Sequence, residues 1–204
     1  MHKDLQSFKY LVGVDEVGRG SLAGPVAVGA FWGRKETLVS LLGGIKDSKK
    51  LLPAKREEWF SKLKNAQKEG CVGFAVAFCG VRHIDTRGIQ DAIRHALRAA
   101  LAKLPLGSEH SFVFLDGGLV APAYFRYQET IIKGDEKVPV IAAASIVAKV
   151  LRDRRMVQMG KKYPEYGFEK HKGYGTLRHV QNIQKNGPSP YHRVGFLGNF
   201  NLEI

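Results

Sequence analysis

Cysteine is scarce in this chain, with two among 204 residues. Cys71 and Cys79 flank a strand-like run, and eight residues of extended chain hold their ends roughly 26 Å apart, whereas a disulfide needs Cα atoms within about 7 Å. A disulfide-stapled secreted scaffold is therefore excluded. Long apolar runs are also missing. None approaches the ~20 residues of a membrane-spanning helix, and Met1-His2-Lys3-Asp4 lacks the apolar core of a signal peptide, so a cytoplasmic protein with no membrane partner is expected. There is no internal repeat and no low-complexity tract, which excludes solenoids and disordered tails. No Cys/His cluster has zinc-ligand spacing, and no P-loop pattern occurs. After Gly18 and Gly20 the third glycine, Gly24, comes one place late for a dinucleotide fingerprint, and Pro25-Val26-Ala27-Val28 continues as strand where a helix should open. Acidic residues are few as well: 19 Asp and Glu stand against 32 Lys and Arg, a formal net charge of +13.

The excess of positive charge favours a polyanionic partner, and it is not spread evenly. Residues 34–68 hold ten Lys/Arg against four Asp/Glu, and residues 133–193 hold thirteen against five, while the remaining stretches up to residue 132 balance. With 44% hydrophobic residues the chain can bury a core of ordinary size. Alternating and continuous apolar runs predict strands over Tyr10–Val14, Val26–Trp32, Val72–Phe78, Ser111–Leu115 and Glu129–Lys133. Helical periodicity predicts helices over Pro53–Lys68, with Pro near its first turn, over Ile89–Leu104, over Pro139–Met159 with a buried Ala-rich first half, and over Leu177–Lys185. Residues 34–52 read as a basic loop. The order implies an α/β fold with a mixed sheet flanked by helices, divided into a core over residues 1–160 and a small basic, helical C-terminal region over 161–204 that packs on it.

Three of these strands are expected to end in carboxylates: Asp15-Glu16, Asp116 and Asp135. Functional groups gather at strand ends in α/β sheets. Four such acids in one cleft repel strongly, since two unit charges ~4 Å apart cost about 4 kcal/mol at an effective dielectric of 20. A cation among them relieves this, and oxygen-only ligands select a hard ion, Mg²⁺ or Mn²⁺. Two such ions about 4 Å apart are the usual means of cutting a phosphodiester. Spacing alone leaves open that each acid is a turn former or a helix cap, and Glu16 shares a site with Asp15 only if the strand bends between them. Gly18-Arg19-Gly20 can bring backbone N–H groups against a phosphate or a sugar hydroxyl. Ser145, Lys149 and Arg152 or Asp153 lie at helical spacing, and Lys149 reaches either a phosphate or Asp153. His171, His179 and His192 read as structural ahead of catalytic.

Taken together these segments resemble the type 2 ribonuclease H family, in its bacterial form ribonuclease HII. The resemblance runs in order through Gly13–Val26, Asp47–Leu51, Phe114–Gly117, Lys133–Asp135, Ile141–Arg154, His171–Thr176 and Ser189–Arg193, and so spans nearly the whole chain. One departure is Val194-Gly195, where the family pattern is more polar. The resemblance implies a ribonuclease H-like mixed sheet with a helical C-terminal region. It implies endonucleolytic cleavage of RNA paired with DNA, and of duplex DNA on the 5′ side of an embedded ribonucleotide, leaving 3′-hydroxyl and 5′-phosphate ends. Residue by residue, the metal-binding and catalytic acids become Asp15, Glu16, Asp116 and Asp135. Gly18, Arg19 and Gly20 become the element that contacts the ribonucleotide 2′-hydroxyl, and Tyr174 the aromatic residue that packs on the junction nucleotide. Lys49, Ser145 and Lys149 join them as expected substrate contacts. The expected partners are RNA–DNA hybrid and ribonucleotide-containing duplex DNA. A replication-clamp contact through Phe196-Leu197-Gly198-Asn199-Phe200, and a monomeric state, complete the expectations.

Overall fold

A computed structural model describes residues 5–45 and 51–198. Five strands form one sheet in the order β3-β2-β1-β4-β5, with β1 Tyr10–Val17, β2 Val26–Arg34, β3 Val72–Cys79, β4 Ser111–Asp116 and β5 Gln128–Ile131. β1 pairs antiparallel with β2, and β2 with β3. β4 then crosses over to lie parallel to β1, and β5 lies parallel to β4. Every residue of β4 is buried, as expected of a parallel strand covered on both faces. The helices are α1 Lys35–Leu41, α2 Pro53–Lys68, α3 Val81–Arg87, α4 Ile89–Leu101, α5 Gly134–Lys137, α6 Pro139–Lys162, α7 Phe168–His171, α8 Leu177–Asn186 and α9 Val194–Leu197.

Helix α4 covers one face of the sheet with the stripe Ile93, Ala96, Leu97, Ala100 and Leu101, all buried. Helix α6 covers the other. Pro139 opens its first turn, and every residue from Val140 to Ala148 is buried. The missing side chain at Gly13 permits the close approach of α6 to β1, because a Cβ there would lie 2.0 Å from the Val140 carbonyl oxygen. Farther along, α6 leaves the sheet, and Met156 and Met159 enter a second, smaller core with Leu22, Tyr166, Phe168, Ile183 and Leu197. That core joins the Gly-rich turn after β1 to the C-terminal helices.

Several stretches depart from the sequence reading. The strand expected over Glu129–Lys133 ends at Ile131, so Asp135, expected at a strand end, stands on the short helix α5. Residues 35–41 are helical where a loop was expected, and Val81–Arg87 adds a short helix. The strand β1 does not stop at Val14. It keeps an unbroken register with β2 through Val17↔Ala27, so Asp15 and Glu16 lie within it with no bulge between them, where a bend was expected if the two are to share a site. The clamp-like segment begins as packed chain: Leu197 is fully buried and Phe196 partly so, while Asn199 and Phe200 lie outside the described residues. At the departure from the family pattern, the backbone N–H groups of Val194 and Gly195 donate to Asp85 at 3.3 Å. Among the described residues no helix is long and apolar enough to cross a membrane.

Candidate active site

The parallel pairing of β1 with β4 brings the first acids together. The last paired residues are Val14 and Leu115, so Asp15 and Asp116 follow side by side on strands about 4.8 Å apart. Asp116 Oδ1 accepts a 2.6 Å hydrogen bond from the Gly134 N–H, which draws the start of α5, and with it Asp135, to the same end of the sheet. Asp15, Asp116 and Asp135 are all buried. Glu16 sits at the margin, with Oε1 held by the Arg19 Nε at 3.0 Å and Nη2 at 2.9 Å. Asp15 Oδ1 accepts from the Glu16 N–H at 2.8 Å. Turning the carboxylates of Asp15, Glu16 and Asp116 each to a donor is one way a sheet end relieves clustered negative charge. Among the described residues, no three His, Cys, Asp or Glu side chains are gathered closely enough to hold an ion. What converges here is the backbone positions of the acids, and their oxygen-only donor set fits a hard divalent cation.

Beside Glu16 opens a cleft of about 410 Å³. Val17, Gly18, Arg19 and Gly20 form one wall, and Ser145, Lys149 and Tyr174 the other. Six of the substrate contacts expected from sequence thus share one cavity. Lys49 lies outside the described residues. Arg56, on α2, also lines the cleft and was not anticipated. It stands in a generic charged helix, and no spacing marks it. Of the two readings offered for Lys149, the structure shows the ion pair with Asp153, at 2.8 Å, made from a position that also lines the cleft.

The Gly-rich turn is held from beneath by two fully buried guanidinium groups, Arg152 and Arg193. Arg152 donates through Nε to the Pro25 carbonyl at 2.9 Å, and through Nη1 to the Lys172 carbonyl at 3.0 Å. Its Nη2 donates to Ser21 Oγ at 2.9 Å. Arg193 donates to the carbonyls of Gly24 at 3.0 Å and Arg19 at 2.8 Å. Burial lowers the pKa of both, yet arginine starts so high that both remain cations at neutral pH. The glycines of the turn differ in kind. Gly18 has φ +89°, and a Cβ there would meet Arg152 Nε at 2.1 Å, whereas a Cβ at Gly20 would meet nothing within 4 Å. Gly18 is thus required by the fold, and Gly20 leaves its backbone open to the cleft.

Two non-glycine residues among those described adopt left-handed backbone, Lys133 and Lys172, each at φ 55°. Each stands two residues before an expected site residue, Asp135 and Tyr174. Such strain persists where surrounding structure enforces it, often at functional positions. The Tyr174 ring is partly exposed, with Lys149 Nζ 5.4 Å and Arg152 Cζ 5.5 Å from its centroid. His171, His179 and His192 cluster behind it, away from the acids, in the smaller core. Burial lowers all three pKa values, those of His179 and His192 to about 4.

Comparison with known proteins decides the family. The sequence matches the family model for Ribonuclease HII over residues 12–198. The chain belongs to the ribonuclease HII family. It is accordingly a ribonuclease H-type hydrolase. A ribonuclease HII from Caldicellulosiruptor bescii is 42% identical over 194 residues, covering 95% of this chain and 89% of that one. One from Thermotoga petrophila is 43% identical, covering 94% and 74%. Among solved structures, the ribonuclease H2 of Pyrococcus horikoshii superposes with a TM-score of 0.70 at 27% identity, covering 94% of this chain and 98% of that one. The ribonuclease HII of Archaeoglobus fulgidus, solved as a complex with PCNA, gives 0.67 at 25% identity and covers 86% of each chain. The mixed sheet flanked by helices is thus that of ribonucleases of this type.

Beyond the cleft, the ribonuclease HII fold of this chain carries a basic trough along α6. Arg56 leads into a hollow lined by Arg154, Gln158 and Lys172, with Glu57 and Asp153 beside them and Glu57 paired to Arg154 at 2.6 Å, and Arg154 and Gln158 lead into another with Arg155 and Lys162. The two positive blocks of the sequence, on α2 and from α6 onward, meet along this line.

Proposed function

We propose that the chain is an endonuclease that hydrolyses the RNA strand of RNA–DNA hybrids and cuts on the 5′ side of ribonucleotides embedded in duplex DNA, leaving 3′-hydroxyl and 5′-phosphate ends. The observation that carries this reading is a single cleft joining a carboxylate, Glu16, to the backbone of Gly18-Arg19-Gly20 and the ring of Tyr174. The 2′-hydroxyl is what distinguishes RNA from DNA at one position. Reading it calls for backbone groups at close range, and Gly20 leaves that space free. Tyr174 supplies a flat face for the junction nucleotide. Lys149, Arg56 and Ser145 receive phosphate oxygens, and Lys49, outside the described residues, is assigned to the same task. The trough along α6 carries the rest of the duplex, so affinity falls as salt rises.

Asp15 and Asp116 are the central ligands of two divalent ions in this reading, completed by Glu16 and Asp135, with Asp135 also orienting the attacking water. When bound there, Mg²⁺ or Mn²⁺ activates water at neutral pH and stabilises charge on the leaving oxygen. Residues 1–160 form the catalytic core and 161–204 the substrate-binding region. The enzyme acts as a cytoplasmic monomer in replication and in ribonucleotide excision repair. The Archaeoglobus relative, solved as a complex with PCNA, supports a clamp contact for this chain, which we assign to the C-terminal segment Phe196-Leu197-Gly198-Asn199-Phe200.

The test is cleavage of a DNA duplex holding one ribonucleotide against the same duplex in all-DNA form, with Mg²⁺, Mn²⁺ or chelator. Cleavage confined to the 5′ side of the ribonucleotide, and abolished by chelator, is expected. Equal cleavage of both duplexes sinks the substrate assignment.

A further inference from the structure

We infer that His179 and His192 are positioning residues for Tyr174, through a one-way chain of hydrogen bonds from Ser189 across both imidazoles to the Tyr174 carbonyl. The direction follows from the contacts. The Ser189 N–H donates to His192 Nδ1 at 2.8 Å, and the Ser189 hydroxyl, which accepts from the Tyr191 N–H, lies 2.8 Å from the same nitrogen with its own proton free to turn toward it. A neutral imidazole has one donor and one acceptor nitrogen, so His192 carries its proton on Nε2. That atom lies 3.1 Å from His179 Nε2, which must accept. The His179 proton then sits on Nδ1, 2.9 Å from the Tyr174 carbonyl oxygen. One tautomer of each ring satisfies all three contacts, and a second proton on either ring would set N–H against N–H. With both facing nitrogens so engaged, the pair has no lone pairs left to converge on a metal.

His171 holds the same residue from the other side. Its carbonyl accepts the Tyr174 N–H at 3.0 Å, and its ring stacks on His179 with centroids 4.0 Å apart and planes at 20°. Both backbone groups of Tyr174 are thus tied to histidines, and its carbonyl also accepts the Thr176 N–H at 2.8 Å, so that His179 supplies the one side-chain donor of the two. The segment needs such ties, because Tyr174 lies outside regular secondary structure, just past the left-handed Lys172. The chain of bonds also explains why His179 and His192, both essentially without solvent exposure, are polar residues inside an aromatic core. It fixes the angle at which the Tyr174 ring enters the cleft.

This rests on the reading of Tyr174 as the residue that packs on the junction nucleotide. The experiment compares kcat and KM on the single-ribonucleotide duplex for the parent, His179→Asn and His179→Phe, each alone and combined with Tyr174→Ala, with a melting curve for every variant. Asn keeps a donor in the place of Nδ1, and Phe keeps the ring and removes it. We expect Asn to stay within about threefold of the parent, and Phe to lose about tenfold in kcat with KM little changed, the equivalent of one net hydrogen bond. In the Tyr174→Ala background Phe should cost nothing further. An undiminished loss in that background, or an Asn variant no better than Phe, overturns the inference. Imidazole ¹⁵N shifts of the unaltered protein give a second test should Phe fail to fold. Protons on His179 Nδ1 and His192 Nε2 are expected, and the opposite tautomers overturn it. A parent protein that leaves the ribonucleotide duplex uncut defeats the functional reading, whatever the tautomers.

Discussion

At the carboxylate end of the sheet, position comes from strand pairing: Asp15 and Asp116 extend neighbouring parallel strands, and Asp135 is brought up by the Gly134 N–H bond to Asp116. In the cleft beside Glu16, Gly18–Gly20 and Tyr174 lie on irregular backbone, where position comes from buried polar groups: Arg152 and Arg193 under the turn, His179 under the tyrosine. A strand pairing is repeated along its length and survives the loss of one contact. A loop pinned by two buried guanidinium groups, each making contacts that nothing repeats, does not. Changes on the first side should therefore remove chemistry and leave the molecule intact, and changes on the second should loosen the molecule first.

The largest effect is expected from Asp116→Asn. The amide oxygen still accepts from Gly134, so folding and hybrid affinity should change little. Loss of charge at the proposed cation site should remove several kcal/mol of transition-state stabilisation, and cleavage should fall on the order of 10³-fold. Single-turnover rates with a parallel binding titration check both halves, and a comparable loss of binding breaks the contrast. Arg152→Met should do the reverse. It strands the carbonyls of Pro25 and Lys172 and the hydroxyl of Ser21, at about 1–3 kcal/mol for each buried group left unsatisfied. A urea midpoint shift equivalent to about 3 kcal/mol or more is expected; a variant as stable as the parent would show the turn to be self-supporting.

The third and smallest effect sharpens the second side alone. Burial, reinforced by the neighbouring imidazoles, holds His179 and His192 at about 4, and unfolding returns them to near 6.5. Between those values the unfolded chain binds protons that the folded chain refuses, so stability is full above pH ~6.5 and falls as pH drops toward ~4. The coupled pair should account for up to about 3 kcal/mol of this. Melting temperatures across that window should fall for the parent and fall less for His179→Asn.

Much of this architecture was legible before any coordinates. The strands and the long helices announce themselves by apolar period, and Pro53 and Pro139 mark helix starts that the structure keeps. Of the expected contacts, Glu16, Gly18, Arg19, Gly20, Ser145, Lys149 and Tyr174 share one cleft. The roles of Arg152 and Arg193 were not legible. A buried arginine looks like a surface one in sequence, because its burial depends on carbonyls more than a hundred residues away. The same holds for the histidines, whose partners are set by how α8 packs. Helix α1 escaped notice because Lys35-Glu36-Thr37-Leu38 has no capping side chain and buries a single residue, Leu38.

With only hydrogen at Gly13, strand β1 and the first turn of α6 touch backbone to backbone. One of these backbones carries Asp15, the other Ser145 and Lys149. The span from the Asp15 carboxylate to these two cleft-lining side chains is therefore a hard length, set like a gauge block by two rigid pieces in contact. Apolar neighbours can be exchanged around it without altering the width a substrate meets, whereas a single methyl group at this one position would act as a shim.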